Sequence, residues 1–161
     1  MNDSTGGGGA AGNRPESADS GELTETITAR GHEHVTATHG STFETTTDEY
    51  LTPAGDCILG IEADRAPAAF SEAFVAACRR QSARITVTIE AAGHTDTVAA
   101  LGSPELTFAS ERSAVVRTSD YVDDRTVAIA ASQAAGDIDR ALVDALASGA
   151  ELTVRFSVSQ A

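Results

Sequence analysis

The sequence predicts an α+β fold that is rich in strands and contains two helices. Several segments alternate apolar and polar residues, which is typical of strands that bury one face. Two other segments have apolar residues at every fourth position, which is typical of helices that pack on one side. The same order of segments occurs twice, so we expect a single domain, 23–161, made of two tandem repeats at about 23–92 and 94–158.

In the first half, the alternating segment Leu23–Ala29 predicts a strand, and Val35–Thr47 predicts a second one that bends at Gly40. The short apolar run Cys57–Ala63 predicts a central strand. Pro67 suits the first turn of a helix that reaches about Arg80, with Asp64 among the capping candidates and Phe70, Phe74 and Cys78 as its apolar stripe. Arg84–Ala91 alternates again and closes the half as a strand.

The second half repeats this order. Its predicted strands are Thr95–Leu101, Glu105–Ala109, Ala114–Thr118, Thr126–Ala131 and Leu152–Val158. Its helix is capped by Asp137, carries Ile138, Leu142 and Leu146 on one side, and ends at Gly149.

The two halves also align residue by residue. One alignment matches Gly31 with Gly102 and Tyr50 with Tyr121, and a second, offset by three residues, matches Asp56 with Asp124. A unit of three strands, a helix and a strand cannot cover its own sheet. We therefore expect the two copies to merge around a pseudo-twofold axis into one core.

The turn at Gly55-Asp56, directly before a buried strand, resembles the turn of cradle-loop barrels, including the double-psi kind. That resemblance implies a closed barrel built from two β-rich repeats with one helix each. The sequence has one strand too many per half for this pattern, so an open mixed sheet flanked by two helices is the alternative. Both architectures belong to the α+β class.

Composition indicates the environment more sharply than the function. The chain has 24 acidic and 11 basic residues, a net charge of −13, and every basic residue is an arginine. High salt screens such self-repulsion, so we expect a cytoplasmic protein of a halophile. The Gly- and Ser-rich segment 1–22 predicts a disordered acidic tail, and no signal peptide or membrane-spanning segment is expected.

The same counts exclude several kinds of chemistry. Without lysine there is no Schiff base and no phosphate-loop ammonium group. The arginines are scattered along the sequence, which disfavours nucleic acid as a partner. The sequence leaves the cofactor unknown.

The first half is the richer in reactive side chains. His32, His39 and Asp56 are candidates for acid–base catalysis, in which the carboxylate of Asp56 or Glu44 orients the imidazole of His39. The same three residues with Cys57 are candidate zinc ligands, but alternation along a strand places His32 and His39 on opposite faces, so a metal site is not favoured. The alternative is that these histidines serve turns and bind backbone groups.

The second half offers a binding site instead. Arg117 and Arg125 flank Asp120 in sequence, with Arg112 nearby, and guanidinium groups bind the carboxylate or phosphate of a small ligand. The alternative pairs these arginines with Asp120, Asp123 and Asp124. A symmetric protein–protein contact, such as a homodimer, is also open.

Several separated motifs resemble one protein family. They are GHEHVTATHGSTFETT, LTPAGDCILGIEAD, RTSDYVDDRT and the helix start AAGDIDR, which together span about Glu25 to Val158. They resemble an archaeal family known as domain of unknown function 371. This chain has His34 at a position where the family's pattern would have asparagine. The resemblance implies archaeal origin and no assigned activity. From the residues themselves we expect a module that binds a small polar or anionic ligand on its first repeat, with an enzyme or a structural module as alternatives.

Overall fold

The structure is a computed structural model that describes residues 21–159. Within these residues the chain forms eight strands and two α-helices, which confirms the α+β prediction. The strands are β1 (Glu22–Arg30), β2 (Thr42–Thr46), β3 (Ile58–Gly60), β4 (Arg84–Ala91), β5 (His94–Leu101), β6 (Ser113–Arg117), β7 (Thr126–Ala128) and β8 (Glu151–Ser159). The helices are α1 (Glu72–Cys78) and α2 (Arg140–Ala147), preceded by 3-10 turns at Pro67–Ala69 and Ala135–Asp137. The tail prediction falls outside the described residues except at Gly21 and Glu22, and Glu22 begins β1.

The strands pair into two sheets of four. The first sheet has the order β1-β8-β4-β5 with all neighbours antiparallel. In the second sheet, β3-β2-β6-β7, the central pair is antiparallel and each outer strand is parallel to its neighbour. Single bridges, Arg30 to Ile61 and Leu101 to Ile129, join the sheets at their edges. The described residues thus form two joined sheets, and neither a closed barrel nor a single open sheet.

The halves match in their connections. Strand, strand, strand, helix, strand is the order in 22–91 and again in 94–159. Exchanging the halves, so that β1 replaces β5 and β2 replaces β6, reverses each sheet order and leaves the pairing unchanged. The internal duplication, and a half-turn rotation that relates the halves, stay predictions that this symmetry of pairing supports.

The core lies between the sheets and the helices. In the first sheet buried and exposed residues alternate, as in β8, where Leu152, Val154, Phe156 and Val158 are buried. In the second sheet, β6 and β7 are buried along their whole length. The two predicted helical stripes are buried as well: Phe70, Phe74, Cys78, Ile138, Leu142 and Leu146. α1 packs against β1 and β8, and α2 packs against β4 and β5. Both helices therefore cover strands of the first sheet.

The helices are shorter than predicted, because the chain is extended between each 3-10 turn and its helix. Ser71, with φ −65° and ψ 152°, caps α1 by accepting a hydrogen bond from the Phe74 N–H at 3.2 Å. Asp64 does not cap this helix. Its carboxylate accepts from the Thr28 N–H at 2.9 Å, at the edge of β1. In the second half the cap is Asp139 rather than Asp137.

Three predicted strands are also corrected. Val35–Thr47 is a strand only over β2, and Glu105–Ala109 is not a strand, because Ala37 and Phe108 have φ values of 49° and 52°. A left-handed residue turns the chain out of the extended conformation. Cys57–Ala63 is a strand only over β3, which lies at an edge of its sheet and not at the centre.

Candidate functional site

Polar side chains from both halves form a cluster on the second sheet, which we call the polar network. They lie on or beside the two central strands, β2 and β6, and on the segments that lead into β3 and β7. The polar network comprises His39, Thr42, Glu44, Cys57, Arg117, Asp123 and Arg125.

The β2 side of the polar network contains a thiol and a carboxylate. Cys57 Sγ donates to Glu44 Oε1 at 3.3 Å, and the Glu44 N–H donates to the Cys57 carbonyl at 2.9 Å. Burial raises the pKa of Cys57 to about 11, with the charge of Glu44 as the next cause. The thiol is therefore protonated at neutral pH and is a poor nucleophile.

The β6 side contains two guanidinium groups that share one carboxylate. Arg117 Nη2 and Arg125 Nη2 lie 3.0 and 2.8 Å from Asp123 Oδ2. Arg117 is buried, and its Nε donates to Thr126 Oγ1 at 2.9 Å. Burial acts to raise the pKa of Asp123, but hydrogen bonds from Arg125 and the charges of both arginines outweigh it and lower the pKa to about 2.

The two sides lie close enough to interact electrostatically, because β2 and β6 are neighbours. The hydrogen bond with Asp123 is the main cause that raises the pKa of Arg125, and burial opposes it. The charges of Glu44 and Cys57 make smaller contributions in the raising direction. Candidates from the two halves of the sequence thus meet in one cluster.

His39 occupies one end of the polar network and holds a turn. Its Nδ1 accepts hydrogen bonds from the N–H groups of Ser41 and Thr42, both at 3.2 Å. The His39 N–H donates to the Asp56 carbonyl at 3.1 Å. The predicted pair is therefore joined through the backbone, and the Asp56 carboxylate does not orient the imidazole through a described hydrogen bond.

His32 belongs to a different place. It lies with Arg30 and Glu33 beside Ser148 and Gly149 at the end of α2, around an open cavity of about 350 Å³. Its ring centre is 5.1 Å from that of His34. Over residues 21–159, no hydrogen bond joins His32 to His39 or Asp56, and no group of three or more His, Cys, Asp or Glu side chains is placed to hold a metal ion.

The predicted arginine site is changed in detail. Asp120 is exposed and takes no part in the ion pairs of Arg117 and Arg125, which both use Asp123. Arg112 pairs with Asp48 instead, at 2.6 Å.

The sequence suggested Glu44 as a partner of His39, whereas its described side-chain partner is Cys57, and sequence reasoning overlooked two exposed tyrosines. Tyr50 and Tyr121 are 62% and 59% exposed, and they are the large hydrophobic side chains that the described surface leaves exposed. The Arg117 guanidinium lies 4.9 Å from the centre of the Tyr121 ring. The signal was available, since the chain has two tyrosines and the internal alignment matches them.

Comparison with known proteins identifies the class. The chain matches the family model described as Domain of unknown function (DUF371) over residues 27–159, and it belongs to that family. It is similar to an uncharacterized protein of the archaeon Methanocaldococcus jannaschii, with 41% identity over 132 residues that cover 82% of this chain and 97% of the relative. Neither description assigns an activity.

The described residues contain no helix that is long and apolar enough to span a bilayer.

Proposed function

We propose that the protein is a binding module that takes a small polar ligand with an acidic group at the polar network. The observation that carries this proposal is the arrangement in which Arg117 and Arg125 share Asp123. The polar network holds two guanidinium groups and two carboxylates, Asp123 and Glu44, so positive groups are concentrated here compared with the chain as a whole, whose net charge is −13. Guanidinium groups bind carboxylates and phosphates through two parallel hydrogen bonds.

Exposure distinguishes the roles of the two arginines. The Arg125 side chain is 47% exposed and the Arg117 side chain 11%. Arg125 is therefore the group that contacts the ligand, and Arg117 holds Asp123 in place from below. The exposed ring of Tyr121, next to Arg117, offers an apolar surface to the rest of the ligand.

The same geometry gives less support to catalysis. The Cys57 thiol is protonated because burial and Glu44 raise its pKa to about 11. The Nδ1 atom of His39 is occupied by two backbone N–H groups, which leaves only its Nε2 atom for proton transfer. The module binds a ligand, and the proposed site spans both repeats instead of the first alone.

Isothermal titration calorimetry tests the proposal by measuring ligand binding to the wild type and to the Arg125→Gln variant. Inorganic phosphate, malonate and small phosphorylated sugars are the probes, with glycerol as the uncharged probe. We expect binding of at least one anion, and a 10- to 100-fold weaker affinity in the variant, since a charge-assisted hydrogen bond contributes about 1.5–3 kcal/mol.

Arg30→Gln is the matched control. Arg30 also makes two hydrogen bonds to one carboxylate, that of Glu62, and it lies on β1. Its removal should leave binding unchanged. The proposal is wrong if none of the anions binds, or if Arg30→Gln weakens binding as much as Arg125→Gln.

We further propose that the chain comes from an archaeon with high internal salt and acts in the cytoplasm. The archaeal relative, the net charge of −13 and the absence of lysine support this proposal. Melting temperatures in molar and in low potassium chloride test it. We expect a marked decrease at low salt, and equal values would contradict the high-salt origin.

A further inference from the structure

Two turns in the first half have counterparts in the second half that differ in one atom type. In the second half, Ser103 Oγ accepts from the Glu105 N–H at 3.2 Å. At the matching position of the first half, His32 Nδ1 accepts from the His34 N–H at 3.0 Å. An imidazole nitrogen thus replaces a hydroxyl oxygen in the same hydrogen bond.

The next turn shows the same replacement. Ser110 Oγ accepts from the N–H groups of Arg112 and Ser113, both at 3.1 Å. His39 Nδ1 accepts from the N–H groups of Ser41 and Thr42, both at 3.2 Å. The segment 31–41, which we call the imidazole loop, is therefore held by two ring nitrogens, and the segment 102–112, the hydroxyl loop, by two hydroxyls.

The two acceptors respond differently to acid. A serine hydroxyl keeps its lone pairs at every pH between 4 and 8. An imidazole nitrogen accepts only while it is unprotonated, and in a protonated ring both nitrogens are donors. Imidazole as a class changes its charge in the range of about pH 5 to 8, so a turn that depends on an unprotonated ring nitrogen is open to acid, whereas a turn that depends on a hydroxyl is not.

We propose that the imidazole loop is a pH-sensitive latch that is closed at neutral pH and released when His32 and His39 are protonated. The hydroxyl loop is its pH-insensitive counterpart. This inference does not rest on the proposed ligand.

The latch fastens several elements. The N–H groups of Thr38 and His39 donate to the Asp56 carbonyl at 3.0 and 3.1 Å, and the Gly136 N–H donates to the His39 carbonyl at 2.9 Å. Arg140 Nη2 donates to the Ala37 carbonyl at 3.1 Å. Release therefore loosens the approach to β3 and the 3-10 turn before α2.

Charged residues of both signs lie on the elements that contact the imidazole loop. Around His39 they are Asp56 on the segment before β3, Asp137 in the 3-10 turn that contains Gly136, Arg140 on α2, Glu44 on β2 and Arg117 on β6. Near His32 they are Glu33 and His34 on its own loop and Arg30 on β1, itself paired with Glu62. The adjoining end of α2, at 147–149, has no titratable side chain.

Amide hydrogen exchange measured by NMR tests the latch at pH 7.5 and pH 5. After correction for intrinsic exchange, we expect protection of the His34, Ser41 and Thr42 amides to fall up to about tenfold at pH 5, since a lost hydrogen bond contributes about 0.5–1.5 kcal/mol. The amides of Glu105, Arg112 and Ser113 in the hydroxyl loop should keep their protection and are the internal control.

The second half also supplies the matched variants. His32→Ser and His39→Ser copy the residues Ser103 and Ser110, so the turns should persist while the pH dependence is lost. The proposal is overturned if wild-type protection at Ser41 and Thr42 is the same at both pH values, or if ¹⁵N shifts show His39 protonated at Nδ1 at pH 7.5. It is also overturned if the pH effect at Ser41 and Thr42 survives in His39→Ser.

Discussion

The two halves of the chain have matching backbone contacts and different side chains. The Glu44 N–H donates to the Cys57 carbonyl, and the Val115 N–H donates to the Arg125 carbonyl, both at 2.9 Å. The first pair carries a carboxylate and a thiol, whereas the equivalent pair in the second half carries a valine and a guanidinium. The fold therefore fixes the backbone pattern, and the side chains at the same positions are free to specialise.

The largest expected effect comes from the glycines that the halves share. A Cβ at Gly31 would overlap the carbonyl oxygen of Leu146 at the end of α2, and a Cβ at Gly102 would overlap that of Cys78 at the end of α1. Because the obstacle is backbone, Gly31→Ala and Gly102→Ala should each lower the free energy of unfolding by about 3 kcal/mol or more. Urea denaturation measures it.

Gly40→Ala is the control, since nothing lies within 4 Å of its Cβ position. Equal losses at Gly31 and Gly102 would show that the matching positions approach a helix end equally closely in both halves. A large loss at one position and none at the other would contradict this match.

A smaller effect is expected where the halves differ. Asp123→Asn leaves the buried guanidinium of Arg117 without its ionic partner, so we expect a loss of about 2 kcal/mol. Asp48→Asn removes the partner of the exposed Arg112 and should change stability little. Thermal denaturation at constant salt compares the two variants, and equal losses would contradict the difference in burial.

The Asp123 effect should also depend on pH. The folded pKa of Asp123 is about 2, below its ordinary value of 3.8. A carboxyl group whose pKa is lowered by folding stabilises the fold fully when the pH is above its ordinary pKa. This contribution is lost as the pH falls through the pKa of the folded state. The stability difference between the wild type and Asp123→Asn should therefore be constant above about pH 4 and shrink towards pH 2.

The smallest effect concerns the Cys57 thiol. Burial raises its pKa to about 11 and Glu44 adds to this, so native Cys57 should react slowly with iodoacetamide at pH 8. Glu44→Gln removes one raising cause and should increase the rate a few-fold. Cys78, whose pKa burial raises to about 12, is the control, and its rate should not change. A Cys57 that reacts as fast as a free thiol in the wild type would contradict this account.

The sequence predicted the elements whose signal is local. Alternation located β1, β4, β5 and β8 to within a residue or two, and the four-residue stripes identified the buried faces around Phe74 and Leu142. It failed at Val35–Thr38 and Glu105–Ala109, because a positive φ at Ala37 and Phe108 depends on packing that alternation does not reveal.

The candidate site shows the same division. The residue types were identified from the sequence: His39, Cys57, Arg117 and Arg125 are all in the polar network. Their grouping was not, since His32 lies elsewhere and Glu44 pairs with Cys57 and not with His39.

The residues and their periodicity were enough to predict the fold class and, apart from the segment 105–109, the order of the strands and helices. The acidic, lysine-free composition is read directly from the sequence. The tertiary structure alone decided that β2 and β6 lie side by side and so bring together the side chains of two distant segments. The physical reason is that strand pairing between the halves is a long-range interaction, whereas periodicity reports only which face of each strand is buried.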